Sequence, residues 1–164
     1  MIVRRARTGD IKAIRALVDT YTTDRRLLSK ATVTLYEQVQ EFWVAVDADD
    51  RVAGCGALHV MWEDLAEIRT VAVDPSRRGQ KIGHRIVAAL LDQARELGVA
   101  RVFCLTFETR FFGSFGFTEI DGAPVPHSVY EQLLRSYDEG VAEFLDLERV
   151  KPNTLGNTRM LLHL

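Results

Sequence analysis

A single α/β domain, with a central mixed sheet flanked by helices, is the fold class this sequence predicts. Three observations carry that expectation. Short apolar runs with strand-like alternation are interleaved with segments of helical periodicity along the whole chain. One stretch, Val71-Ala72-Val73-Asp74-Pro75-Ser76-Arg77-Arg78-Gly79-Gln80-Lys81-Ile82-Gly83-His84, passes from an apolar strand through a Pro-marked turn and a basic loop into a helix. No repeat, linker or low-complexity segment interrupts the 164 residues, whose 47% hydrophobic content suits one domain spanning 1–164. Strands with helices between them then argue an α/β sandwich around one sheet.

The elements follow in order from local pattern. Residues 2–7 alternate and open as a strand. Thr8 is placed to cap a helix over 10–21, with Ile11, Ile14, Leu17, Val18 and Tyr21 on one stripe. Residues 22–32 are polar and basic and read as a loop, and a second helix is expected over 33–40. A strand over 42–47 leads through the turn Asp47-Ala48-Asp49-Asp50 to a long strand over 52–62. After Glu63-Asp64 comes the strand 65–73. The helix expected over 83–97 carries Ile86, Val87, Leu90, Leu91 and Ala94 at helical spacing. A strand is expected over 101–107, a short helix or turn over 111–116 and a strand over 117–120. Pro124 and Pro126 break the chain. Residues 129–144 read as one helix, weakened by Gly140. Residues 152–157 are turn-rich, and 158–164 close the chain as a strand.

The loop 77–84 is where chemistry first shows. A loop that opens a helix presents backbone N–H groups with no helical partner, together with the positive end of the helix dipole. That is a ready anion site. Gly79 and Gly83 permit close backbone approach, and Arg77, Arg78 and Lys81 add positive charge. The inference is a phosphate or pyrophosphate cradle. It is not a P-loop, because His84 and Arg85 follow Gly83 where Lys and Ser/Thr would be needed. No G-x-G-x-x-G run follows any strand-like segment.

Composition excludes several classes. A net charge of −2, with basic residues concentrated in 77–85, suits a small anionic ligand and not nucleic acid or a membrane surface. Neither a cleavable signal pattern nor an apolar run near the ~18 residues of a membrane span is present. Cys55 and Cys104 lie in strand-like runs and are expected as reduced core thiols of a cytoplasmic protein. The four histidines are scattered with no metal-ligand spacing, so no metal is expected.

Arg78-Gly79-Gln80-Lys81-Ile82-Gly83 resembles the R/Q-x-x-G-x-G/A pyrophosphate loop of the GNAT superfamily of N-acetyltransferases, with Lys81 standing where the family has its middle Gly. The resemblance covers nearly the whole chain. The run 105–117, LTFETRFFGSFGF, looks like the LTTxTxxWFxxxGF segment of bacterial N-acetylglutamate synthases. Phe107 replaces a Thr, Phe111 replaces the Trp, and one residue is missing before Phe111. Residues 67–73, EIRTVAV, resemble their GEIACVAV, and Arg26-Leu27-Leu28-Ser29-Lys30 resembles their GILVRRS. A turn at Val125-Pro126, a Tyr-rich helix and a closing apolar strand complete the match. The larger synthases carry an N-terminal amino-acid-kinase-like domain that has no counterpart here.

The resemblance implies a splayed sheet and direct acetyl transfer from acetyl-CoA to an amine, with no covalent enzyme intermediate. It implies that Arg78, Gly79, Gln80, Lys81, Ile82, Gly83 and His84 bind the cofactor phosphates. Backbone amides of a bulged strand at Val71, Ala72 and Val73 would hold the thioester carbonyl and pantetheine. Glu67 is the candidate general base, and it shares a strand face with Arg69, Val71 and Val73 if alternation holds. Phe112 occupies the position of the family's acid Tyr and cannot donate, which leaves Ser114, Tyr130, Tyr137 or water. Glutamate has two carboxylates beside its amine, so its pocket should hold cations. Lys30 is a candidate by match, Arg69, Arg110 and Arg159 by placement, and Thr106 as a hydroxyl partner. The leading reading is synthesis of N-acetyl-L-glutamate, the entry step of arginine biosynthesis, in the cytoplasm and without a metal. Another amine (glutamine, a protein N-terminus or a small molecule) is the alternative, with a non-catalytic acyl-CoA sensor behind it. A homodimeric assembly is left open.

Overall fold

The computed structural model of the chain describes residues 1–23 and 30–164. The expected match at Arg26–Ser29 therefore lies outside the described residues. Seven strands form one mixed sheet: β1 (Ile2–Arg5), β2 (Phe42–Val46), β3 (Val52–Trp62), β4 (Leu65–Val73), β5 (Arg101–Thr106), β6 (Thr118–Glu119) and β7 (Thr158–His163), in spatial order β1-β2-β3-β4-β5-β7-β6. The helices are α1 (Ile11–Thr22), α2 (Thr32–Glu37), α3 (Ile82–Glu96), α4 (Thr109–Gly113), α5 (His127–Leu133), α6 (Glu139–Phe144) and α7 (Lys151–Thr154). β3 and β4 occupy the residues that the pattern predicted. The chain divides into two compact units, Met1–His59 with Ile68–Glu96, and Val60–Glu67 with Leu97–Leu164.

In the first unit β1, β2 and β3 pair antiparallel. Ile11, Ile14, Leu17 and Val18 of α1 recur at helical spacing and bury against Phe42, Val44 and Val46 of β2, with Leu35 of α2 beside them. Thr8 does not cap α1. It opens a 3₁₀ turn in which Asp10 accepts the Arg7 N–H at 2.7 Å, and Asp10 then leads into α1 without a side-chain capping bond. α3 lies close against β3 because two glycines there have no side chain. A Cβ built on Gly54 would stand 2.9 Å from Ile82 and Ile86, and one on Gly56 would stand 2.8 Å from Ile86.

In the second unit the first three residues of β4 pair parallel with β5, from Leu65↔Arg101 to Glu67↔Phe103, and the ladder ends there. β5 pairs antiparallel with β7 along its whole length, from Arg101↔His163 to Thr106↔Thr158. Phe103, Phe144, Leu65, Leu133 and Leu161 form the core, with the Phe103 and Phe144 rings edge to face at 5.1 Å.

Two expectations are corrected here. Residues 129–144 are not one helix. α5 ends at Leu133, the Ser136 hydroxyl accepts the Asp138 N–H at 3.1 Å, and Asp138 caps α6 by accepting the Val141 N–H at 3.0 Å. A strong N-cap outweighs a continuing pattern. Residues 152–157 are partly helical, because Pro152 sits in the first turn of α7, where its missing N–H costs nothing.

Gly56→Ala should destabilise the protein by about 1–3 kcal/mol, because the added methyl meets the branched methyl of Ile86 and drives α3 off the sheet. Urea unfolding would measure it.

Candidate functional site

β4 carries the candidate base near its start and the candidate cofactor amides near its end, and its middle is strained. Thr70 has φ +57°, left-handed backbone for a β-branched residue. Such a conformation costs on the order of 1–3 kcal/mol and persists only where its surroundings impose it. The Cys55 thiol, fully buried, donates to the Thr70 carbonyl at 3.6 Å. Burial pushes that thiol up to about 12, so it stays protonated as the donor. Leu65 to Ile68 are all buried, and from Arg69 to Val73 half-buried and buried residues alternate, with Arg69, Val71 and Val73 half-buried.

Beyond Thr70, Val71 lies 3.4 Å from the Gly56 Cβ position on the α3 side, while Ala72 packs into the α1 cluster. The Tyr21 hydroxyl of α1 donates to the Val73 carbonyl. Asp74 then accepts the Ser76 N–H at 2.9 Å and its hydroxyl at 2.8 Å, and the Ser76 bonds hold its carboxyl below the usual range. A 3₁₀ turn (Pro75–Arg77) delivers the loop. Gly79 (φ +84°) and Lys81 (φ +56°) are both left-handed. Lys81 thus adopts the backbone that the resemblance assigns to a glycine, with its side chain turned to solvent. Arg78, Gln80 and His84 are also exposed, Gly83 is half-buried, and Ile82 is buried at the start of α3, contributing backbone and an anchor. A Cβ on Gly79 would meet nothing within 4 Å, so the loop surface there is open. Arg77 departs from expectation: its guanidinium donates to Asp47 at 2.6 Å and does not stand out as a third loop cation.

In the second unit Glu67 is 4% exposed and pairs in register with Phe103. Its charge adds to burial in keeping the neighbouring Cys104 thiol protonated. Thr106 is buried, and its hydroxyl oxygen accepts the Glu108 N–H at 2.8 Å, leaving the O–H to donate elsewhere. Arg110 is exposed on α4. Arg159 is not the open cation its placement suggested. It donates to the carbonyls of Glu143 at 2.7 Å, Phe144 at 2.6 Å and Gly122 at 2.8 Å, and lies over the Phe103 ring at 5.1 Å. α6 ends at Phe144, so this arginine closes the helix by taking its last carbonyls. In the first unit, the Lys30 ammonium donates to Gln38 at 3.3 Å.

The family model of the acetyltransferase (GNAT) family matches residues 11–117, from α1 through the phosphate loop to the aromatic turn. The chain belongs to the GNAT acetyltransferase family. The amino-acid acetyltransferase of Mycobacterium tuberculosis is 63% identical over 163 residues, 98% of this chain and 93% of the relative. A crystal structure from M. tuberculosis, in complex with CoA and NLQ, superposes with TM-score 0.97 at 63% identity and covers 100% of this chain and 99% of that one. The N-acetylglutamate synthase of Neisseria gonorrhoeae, complexed with coenzyme A and N-acetyl-glutamate, superposes with TM-score 0.80 at 25% identity, over 99% of this chain and 35% of that chain. This chain thus spans about a third of that synthase.

At the turn where GNAT acetyltransferases resemble one another in FYxxxGF, Phe112 is buried edge to face against Phe111 at 5.1 Å and Phe117 at 5.3 Å. It packs and has no proton to give. The Ser114 hydroxyl donates to the Phe111 carbonyl at 2.6 Å, and Tyr137 is fully exposed. Among the described residues no helix is long and apolar enough to cross a membrane, and no cluster of side chains could hold a metal ion. Sequence reasoning missed Thr70, Tyr21 and Asp47. A β-branched residue gives no signal for left-handed backbone, and bonds spanning 52 and 30 residues leave no local pattern.

Arg159→Met should lower stability by about 1–3 kcal/mol, because it removes the bonds to the Phe144 and Gly122 carbonyls and one of those to Glu143, whose carbonyl also accepts the Asp146 N–H, where loss of a solvated cation would cost at most about 0.5 kcal/mol. Chemical denaturation would distinguish the two.

Proposed function

We propose that this chain, acting over 1–164 as one domain, is an amino-acid N-acetyltransferase. It transfers acetyl from acetyl-CoA to the α-amine of L-glutamate, the entry step of arginine biosynthesis. The observation that carries the reading is the 63% identity, along 98% of the chain, to an amino-acid acetyltransferase. The phosphate loop and the strained β4 agree with it. Backbone amides of the loop from Arg78 to His84 would cradle the pyrophosphate, with Arg78 and Lys81 as exposed cations. Amides at Val71 to Val73 would hold the thioester carbonyl, where one oxyanion donor is worth about 3–4 kcal/mol.

Glu67 takes the proton from the substrate ammonium. The neutral amine attacks the thioester carbon, the attacking nitrogen gives up its second proton to solvent, the tetrahedral intermediate collapses, and the C–S bond breaks with the electron pair leaving on sulfur. Phe112 cannot protonate that thiolate, so its proton comes from water. Lys30, Arg69, Arg110 and Arg159 remain the candidate carboxylate partners, with Thr106 as hydroxyl donor. The reading goes with a cytoplasmic enzyme. A homodimer is the assembly to test, by sedimentation.

One observation favours glutamine as a second reading. Arg159 already spends three donors on backbone carbonyls, which leaves fewer N–H groups for a second carboxylate. Thiol release from acetyl-CoA, measured with glutamate, glutamine and a carboxylate-free amine, decides among them. Glutamate should be acetylated fastest. Equal turnover of the carboxylate-free amine would defeat the amino-acid assignment, and absence of turnover with every amine would favour an acyl-CoA sensor.

Glu67→Gln should lower kcat by roughly 10²–10⁴-fold at neutral pH, where the substrate is mostly ammonium. The loss should narrow at high pH, as neutral amine becomes available without a base. A pH–rate profile unchanged by the substitution would put the base elsewhere.

A further inference from the structure

The phosphate loop is held in shape by groups outside it. Asp47 lies in the turn between β2 and β3 and uses its two carboxylate oxygens for different tasks. Oδ1 accepts the N–H groups of Asp49 and Arg51, both at 3.0 Å, and so fixes its own turn. Oδ2 reaches across to Arg77, accepting from Nη2 at 2.6 Å, and stands 3.4 Å from Arg51 Nε. Arg77 is the last residue before the exposed loop. Its backbone is fixed as well, because its N–H donates to the Asp74 carbonyl at 2.9 Å. The Asp74 N–H in turn donates to the Ala53 carbonyl at 2.9 Å.

We propose that Asp47 is a positioning residue for acetyl-CoA: by holding Arg77 it sets the loop from Arg78 to Gly83 in its phosphate-binding form before the co-substrate arrives. The inference rests on the reading of that loop as the CoA phosphate cradle. Its physical basis is conformational entropy. Arg78, Gly79, Gln80 and Lys81 are all exposed, and two of them are left-handed. A loop free at its N-terminal end would have to be ordered on binding, at the expense of affinity, whereas a loop held from outside is ordered already. Arg77 cannot both be held by Asp47 and swing out to a phosphate. This geometry assigns it to the brace.

The brace is charged throughout the working pH range. The Arg51 N–H, followed by the Arg77 guanidinium and the Asp49 N–H, draws the Asp47 carboxyl down to about 2. Its contribution is therefore present above the ordinary carboxylate range and is lost only as pH falls toward 2.

The test is a double-mutant cycle of Asp47→Asn and Arg77→Gln, with acetyl-CoA binding followed by calorimetry. Asn keeps an oxygen for the turn and removes the charge that holds Arg77. Each single change should raise the acetyl-CoA dissociation constant by about five-fold, the worth of a part-exposed ion pair. The double variant should be no weaker than either single one. KM for the amino acid should stay constant, and so should the rate with acetyl-pantetheine, which has no pyrophosphate. Tighter acetyl-CoA binding by Asp47→Asn would mean that Arg77, once released, is a phosphate ligand, and would overturn the proposal. Unchanged binding or additive losses would overturn it too. Arg77→Gln reads the same brace from its other end, so the test survives a misfolded Asp47→Asn. Failure of the wild-type protein to bind acetyl-CoA would refute the loop assignment itself, a result distinct from wild-type binding that the two variants leave untouched.

Discussion

Everything at this site depends on a β-strand that is not allowed to stay regular. Thr70 sits in β4 with left-handed backbone, a conformation that a β-branched side chain resists. An undisturbed strand pairs its amides with its neighbours and has none to offer a ligand. Pairing between β4 and β5 ends after three residues, at Glu67. The strain therefore falls beside the amides of Val71 to Val73, the candidates for holding the thioester carbonyl. Cys55 helps to hold it, as a buried thiol bonded to the Thr70 carbonyl. A cysteine that looked like mere core filling thus has a directional role.

The same economy governs the phosphate loop. Arg78, Gly79, Gln80 and Lys81 are all exposed. Order is imposed at its ends by Tyr21 on the Val73 carbonyl, by Asp74 capping the 3₁₀ turn, by Asp47 on Arg77, and by Ile82 buried under α3. Gly54 and Gly56 let α3 come close enough for Ile82 and Ile86 to fill the space that side chains would have taken. The helix that opens at the candidate phosphate loop is thereby seated by residues outside that loop. Such packing costs a glycine its conformational freedom in the unfolded chain, and the close approach of α3 offsets that cost.

In the second unit charge is used for architecture as well as for recognition. Arg159 closes α6 and covers the Phe103 ring, and Phe103 is the register partner of Glu67. The candidate base is thus carried beside an aromatic residue covered by an arginine. Phe112, where a proton donor would be expected, completes an apolar cluster with Phe111 and Phe117. A leaving thiolate is a weak enough base to depart without a donor, so the reaction can proceed with that position spent on packing.

Amino-acid order alone determined the succession of the seven strands, β3 and β4 residue for residue, the amphipathic faces of α1 and α3, and the basic glycine-containing loop before α3. These are local properties, written in periodicity, in Pro and Gly positions and in charge within one turn. The loop's family resemblance was equally legible, because its glycines and basic residues are contiguous. Only the tertiary structure decided what depends on distant partners. It made Thr70 left-handed, gave Arg77 to Asp47 across 30 residues and Tyr21 to Val73 across 52, and engaged Arg159, a candidate substrate cation, with the last carbonyls of α6. It also broke the helix over 129–144, where Asp138 made a better end than the pattern suggested. The physical reason is common to all of these. A side chain's donors go to whichever buried acceptors the fold brings near, and a backbone takes a strained conformation only when its surroundings impose it.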